Sequence, residues 1–173
     1  MTRMMARIAT IVALSTLVAG CNLRPLYAGG TTGVVASELG NVEIEPIAGK
    51  AGWLTRNALK DQLEAFEGQQ SKYRLIVALE DKIAGFGVRS NTRITRERRS
   101  LRARYQLVRL SDSVVVLDAT AGSDAGIDVV SSEYATLAAE DTALENLATR
   151  VANQIVTRLS LYARTEANTS PDQ

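Results

Sequence analysis

Two sets of residues in this sequence carry usable chemistry: one cysteine and a run of arginines. Cys21 is the sole cysteine in 173 residues. It follows an uncharged apolar stretch, Ile8 to Val18, and two small residues, Ala19 and Gly20. A thiol placed there reads as a site for a lipid rather than for catalysis. The second set lies between Arg89 and Arg109: Arg89, Arg93, Arg96, Arg98, Arg99, Arg102, Arg104 and Arg109, with Glu97 as the sole acid among them. Guanidinium groups are planar forks that hold phosphate or carboxylate through two hydrogen bonds at once. The rest of the composition is restrictive. There is no histidine, so His-based triads, Cys–His dyads and His-containing metal sites are excluded. None of the four lysines (Lys50, Lys60, Lys72, Lys82) sits in a Ser-x-x-Lys pattern. There is no G-x-S-x-G and no phosphate loop. The expectation is a protein that is not an enzyme, with no metal and no cofactor beyond a covalent lipid on Cys21.

The segment before Cys21 has the parts of a secretory signal. Arg3 and Arg7 make a positive start. The apolar run is shorter than the roughly 20 residues that span a bilayer and suits a signal core of about 7–15. Val18-Ala19-Gly20-Cys21 resembles the lipobox of bacterial lipoproteins. That resemblance implies that residues 1–20 are removed and that Cys21 becomes the acylated first residue, carrying fatty chains such as palmitate. More than one chain gives stable anchoring where one is marginal. In the enterobacterial sorting scheme an Asp after the cysteine retains a lipoprotein in the inner membrane. Asn22 favours the outer membrane of a Gram-negative envelope. Removing 20 residues from 173 leaves 153, one domain's worth, with 18 basic and 19 acidic side chains. A charge near zero gives no support to nucleic acid as a partner. With Cys21 acylated, no cysteine is left for a disulfide in the oxidising periplasm.

These residues need a scaffold, and the pattern predicts one. Residues 21–40 are the lipidated N-terminus and a Gly/Ser/Thr-rich tether. Val42 to Ile47 alternates apolar and acidic residues, a short strand that Pro46 ends or confines to an edge. Trp53 to Glu67 reads as a helix with Leu59, Leu63 and Phe66 on one face and Gly68 as its stop. Tyr73 to Lys82 is a strand that stays extended through Val88. Arg89 to Thr92 is a turn, and Arg93 to about Leu110 is the return strand. Ser111 to Ser113 makes a second turn before a strand from Val114 to Ala121. A Gly/Ser/Asp linker follows. A long amphipathic helix runs from about Glu133 to Tyr162 on a stripe of Leu137, Leu144, Ala148, Val151, Ile155, Leu159 and Tyr162. From residue 164 to 173 the tail is polar and expected to be disordered. The order β-α-β-β-β-α predicts one α+β domain over 41–163: a two-layer sandwich of a four-stranded, mostly antiparallel sheet with two helices on one face. The first strand is parallel to a later one, and the other three form a meander.

Strand alternation sorts the arginines. Arg96, Arg98, Arg102 and Arg104 share one parity, opposite to Leu101, Ala103, Tyr105 and Leu107. With the apolar set facing the helices, those arginines line the open face, and Arg89 and Arg93 crowd the turn. Glu80 and Asp118 have the parity to pair with some of them, but two acids do not neutralise the set. Two readings stand side by side: an ordinary solvated face, or a surface for phosphate or carboxylate ligands. In a bacterial envelope the anionic candidates are phospholipid headgroups and the phosphorylated lipid A of lipopolysaccharide.

Several short motifs then point to a family. Cys21-Asn22-Leu23-Arg24-Pro25-Leu26-Tyr27 resembles the mature start of the alphaproteobacterial LPS-assembly lipoproteins, the LptE family. Tyr134 to Glu140 and Tyr105-Gln106-Leu107 are also similar to that family, as is the order of elements. The resemblance implies a lipid-anchored protein at the periplasmic face of the outer membrane. It implies a plug inside an LptD-like outer-membrane β-barrel that helps the barrel assemble and binds lipopolysaccharide on its way to the cell surface. By position, Arg89, Arg93, Arg96, Arg98, Arg102 and Arg104 are the candidate lipopolysaccharide-binding residues. They could meet lipid A phosphates or barrel acids. The competing reading is an accessory lipoprotein of an envelope phospholipid or solute transport complex. An envelope enzyme is a third class that no residue cluster supports.

Overall fold

The computed structural model describes residues 42–63, 71–88 and 94–169. The strands are β1 (Val42–Ile44), β2 (Tyr73–Val88), β3 (Ile94–Arg109) and β4 (Val115–Asp128). The helices are α1 (Gly49–Leu63), between β1 and β2, and α2 (Glu133–Thr169), after β4. The sheet order is β1-β2-β3-β4. β1 is parallel to β2, and β2, β3 and β4 form an antiparallel meander. The predicted α+β class, element order and parallel first pair are all present.

Alternation fixes which face is covered. Tyr73, Leu75 and Val77 of β2 and Leu101, Ala103, Tyr105 and Leu107 of β3 are buried. They form one core with Leu59 and Leu63 of α1 and with Leu147, Val151, Ile155, Val156 and Leu159 of α2. Both helices therefore cover the same face of the sheet. Their amphipathic stripes do this, and most of the helical stability comes from that packing. At the end of the layer, Tyr73 meets Tyr162 edge to face, with ring centroids 6.3 Å apart. Burial pushes the Tyr162 hydroxyl up to about 12.

Four boundaries differ from the sequence reading, each for a local reason. β1 stops at Ile44, before Pro46, and is only 3 residues long. α1 starts at Gly49, earlier than Trp53, and Trp53 stays exposed. Gly49 holds a positive φ of 77° there. Gly52 lets the helix lie against the preceding loop, because a Cβ at this position would stand 2.5 Å from the Ile47 carbonyl oxygen. β4 does not stop at Ala121 but runs to Asp128, so the expected Gly/Ser/Asp linker is largely strand. α2 passes Tyr162 and Arg164 to reach Thr169, where a disordered tail was expected. Leu137, placed on the buried stripe by its spacing, is 59% exposed because among the described residues nothing covers the first turns of α2 on that side.

The ends are built conventionally. The Ser132 carbonyl accepts the Thr136 N–H, and the Ser132 hydroxyl accepts the Ala135 N–H, capping α2. Between β3 and β4, Asp112 accepts the Val114 N–H while Arg109 donates to the same carboxylate. Ser113 carries a φ of 57° in that turn. The expected turn at Arg89–Thr92, the helix stop at Gly68 and Phe66 lie outside the described residues.

Candidate functional site

The open face of the sheet carries Arg96, Arg98, Arg102 and Arg104 in one column along β3, as the alternation predicts. All four are exposed. The neighbours decide what they can do. Arg104 makes a two-point pair with Asp118, at 3.3 Å from Nε and 3.0 Å from Nη2, and Gln106 donates to the same carboxylate at 2.9 Å. Arg102 donates twice from Nη2 to Asp124, at 2.8 and 3.0 Å, and from Nη1 to the Ser123 carbonyl at 3.0 Å. Arg96 donates from Nε to Asp128 at 3.0 Å. Arg98 makes no ion pair among the described residues. Its guanidinium carbon stands 5.3 Å from the centre of the Phe86 ring.

Three of these four arginines thus face an aspartate of β4. Asp118 was foreseen as a partner. Asp124 and Asp128 were not, because they lie in the segment read as a linker. Glu80, the other foreseen partner, instead accepts from Lys82 at 2.6 Å. The signal available was the spacing Asp118…Asp124…Asp128, all of one parity and opposite Gln106, Ser100 and Arg96 in the register. Gly122 completes the arrangement. A Cβ there would lie 2.6 Å from the Arg102 side chain, so a glycine leaves room for the guanidinium to cross the strand.

Charge and hydrogen bonding shift the titrations. Hydrogen bonds from Arg104 and then Gln106 hold the Asp118 carboxyl below the usual carboxylate value. Hydrogen bonds from Ser100 and then Arg102 do the same for Asp124. The Asp118 hydrogen bond raises Arg104 further. Each pair is solvent-exposed, so its net worth is small and its partners exchange readily.

Arg99 has the opposite parity and a different role. It donates to Asp81 at 2.9 and 2.6 Å and to the Glu140 carbonyl of α2 at 2.8 Å. Its side chain is only 11% exposed. Nearby, Lys50 of α1 reaches Asp141 of α2 at 2.7 Å. These contacts tie both helices and the sheet together on the covered side. Among the described residues no three His, Cys, Asp or Glu side chains are grouped to hold a metal ion. Within the same residues no helix is long and apolar enough to cross a membrane. Cys21, Arg89 and Arg93 lie outside the described residues.

Known proteins share this architecture. A solved lipoprotein from Caulobacter crescentus CB15 is 20% identical, with a TM-score of 0.61, covering 75% of this chain and 96% of its own. A minor lipoprotein from Acinetobacter baumannii is 14% identical, with a TM-score of 0.57, covering 76% of this chain and 94% of its own. Lipoprotein B from Nitrosomonas europaea is 11% identical, with a TM-score of 0.56, covering 78% of this chain and 92% of its own. Likeness at such identities shows a shared fold. No curated protein sequence matches the chain. The profile of the lipopolysaccharide-assembly family LptE matches residues 39–159, which takes in β1 through most of α2. The match spans the sheet, both helices and the arginine column, and on it the chain belongs to the LptE family of lipopolysaccharide-assembly proteins.

Proposed function

We propose that this protein is an outer-membrane lipoprotein that plugs and helps assemble an LptD-type β-barrel and binds lipopolysaccharide in transit to the cell surface. The observation that carries this reading is the family match over residues 39–159. Residues 1–20 act as the signal, Cys21 as the acylated anchor and residues 21–40 as the tether. The domain works by binding and assembly, without catalysis. The anchor holds it at the periplasmic face of the outer membrane.

Within that reading the open face supplies the anion-binding groups, Arg96, Arg98, Arg102 and Arg104, joined by Arg89 and Arg93. Arg98 is the leading candidate. Among the described residues it is in no ion pair, and it stands over an exposed aromatic ring, which pairs a cation with an apolar neighbour. Lipid A presents phosphate beside acyl chains and fits such a pair. Arg102 and Arg104 would exchange an exposed aspartate for a phosphate, a small cost because solvent-exposed pairs are weak.

Co-purification tests the partner. The tagged, membrane-extracted protein should bring down an LptD-like barrel, and recovery without any barrel overturns the plug. Depletion should leave lipopolysaccharide behind in the inner membrane. Mislocalised phospholipid instead would favour the transport-accessory reading. Crosslinking of labelled lipopolysaccharide should fall with Arg98→Ala more than with Arg104→Ala. Equal crosslinking in all variants would return the face to ordinary surface.

A further inference from the structure

The outer edge of β4 is a regular strand edge whose charges, Asp118, Asp124 and Asp128, all stand on the open face of the sheet. Among the described residues β4 has a strand neighbour on one side only. Over its 14 residues it contains no lysine, no proline and no charge pointing to the covered face, features that commonly keep an edge from pairing. Its one irregularity lies at the start, opposite Leu107/Val108. In an antiparallel ladder alternate residues point their N–H and C=O outward. Gly122 is one of these, since its N–H and C=O both leave the sheet. By alternation Thr120, Asp124 and Gly126 do the same, and among the described residues nothing bonds those outward groups.

What meets Gly122 is informative. The Gln154 side chain of α2 accepts the Gly122 N–H at 3.0 Å and donates to the Gly122 C=O at 3.2 Å. One donor and one acceptor offered together are what a neighbouring strand's backbone would offer. Gln154 holds, at one point, the place of a fifth strand.

Gln154 belongs to a row. Arg150, Gln154 and Arg158 recur every fourth residue and so project from one side of α2. Arg150 lines a cavity of about 440 Å³ with Ala125, Gly126 and Asn146. Arg158 lines one of about 650 Å³ with Ala119, Thr120 and Leu161. Both cavities lie between α2 and β4, on either side of the Gln154 bridge. Neither arginine is in an ion pair among the described residues. The two are about 12 Å apart along the helix at 1.5 Å per residue. Residues i and i+4 of a strand lie on one face about 13 Å apart. A strand laid along β4 therefore brings two side chains, four residues apart, to the two arginines.

We propose that this channel receives an extended segment of a partner protein with carboxylates four residues apart. The segment pairs with the outer edge of β4, displaces Gln154 from Gly122 and sets its carboxylates against Arg150 and Arg158. A second copy of this chain is a poor occupant. β4 against β4 would place two rows of Asp118, Asp124 and Asp128 side by side and would offer alanine and serine to the arginines. The proposal does not depend on lipopolysaccharide binding at the open face.

The test uses the full-length protein in mild detergent and a labelled heptapeptide of threonine and valine with glutamates at its second and sixth positions. Binding should perturb the amides of Thr120, Asp124 and Gly126. Arg150→Glu and Arg158→Glu should each weaken binding about five- to tenfold, the scale of an exposed pair turned repulsive. Both residues are exposed, so folding is not at stake, and circular dichroism confirms it. Gln154→Ala should strengthen binding, because it removes the internal competitor. Placing the two glutamates side by side, or N-methylating the peptide backbone, should abolish binding. Wild-type affinity in both arginine variants overturns the proposal. So does weaker or unchanged binding to Gln154→Ala, or a perturbation confined to the open face.

Discussion

The two faces of β3 take the same residue type and use it in opposite ways. On the covered face Arg99 is nearly buried and joins Asp81 to the Glu140 carbonyl, so one guanidinium holds β2, β3 and α2 in place. On the open face Arg96, Arg102 and Arg104 each lean on an exposed aspartate of β4, and Arg98 leans on Phe86. Arg98 and Arg99 are adjacent in sequence, and one step of alternation separates a structural arginine from an available one. The contrast teaches that burial and neighbour geometry assign an arginine its work, since desolvated charge-assisted bonds persist where exposed ones exchange.

The sharpest way to break this contrast is to truncate neighbours on opposite faces. Leu101 is fully buried in the core, and Arg102 beside it is exposed. Leu101→Ala should destabilise by about 2–5 kcal/mol through lost burial and the cavity left behind. Arg102→Ala should change stability far less, because water replaces the Asp124 pair. Urea unfolding of both variants measures the difference. Comparable losses would show that the open-face pairs are structural after all.

Arg99→Ala comes next. It removes charge-assisted bonds that are largely shielded from water and leaves Asp81 without that partner, so a loss of about 2 kcal/mol is expected. Arg99→Lys should recover little of it, since an ammonium cannot bond both Asp81 oxygens and the Glu140 carbonyl in one plane. Hydrogen exchange should then speed up first in the opening turns of α2, the part Arg99 fastens. Unchanged exchange there would make Arg99 another surface residue.

Most of the fold was legible because alternation and helical spacing are local. Leu101, Ala103, Tyr105 and Leu107 announced the covered face of β3, and Leu144, Val151, Ile155 and Leu159 announced α2. The second half of β4 was not legible. Gly122, Ser123, Asp124 and Gly126 have poor intrinsic strand preference, and a single-chain pattern reads them as a linker. They are strand because of contacts made elsewhere: Arg102 and Ser100 bond Asp124, Arg96 bonds Asp128, and Gln154 holds Gly122. The same omission hid two aspartates and made the arginine column look more cationic than it is. Arg99 was visible by parity, but its partner carbonyl belongs to a helix 41 residues away. Lys50 and Asp141 meet only once both helices are packed.

The smallest expected effect is the most specific to the open face. In the folded protein the carboxyls of Asp118 and Asp124 sit below their usual value of 3.8. A carboxylate depressed by folding contributes stability that is fully present above its unfolded value. That contribution is lost as pH falls through the lower folded value. Asp118→Asn with Asp124→Asn should therefore be slightly less stable than wild type at neutral pH and should converge on it in acid, below 3.8. Because both groups are exposed, the gap should be small and should shrink with added salt. Urea midpoints between neutral pH and strong acid, at low and high salt, measure it. A gap that persists in acid would mean that the amides disturb the sheet itself. A gap that ignores salt would mean that the pairs are more shielded than their exposure indicates, and the difference between the two faces of β3 would narrow accordingly.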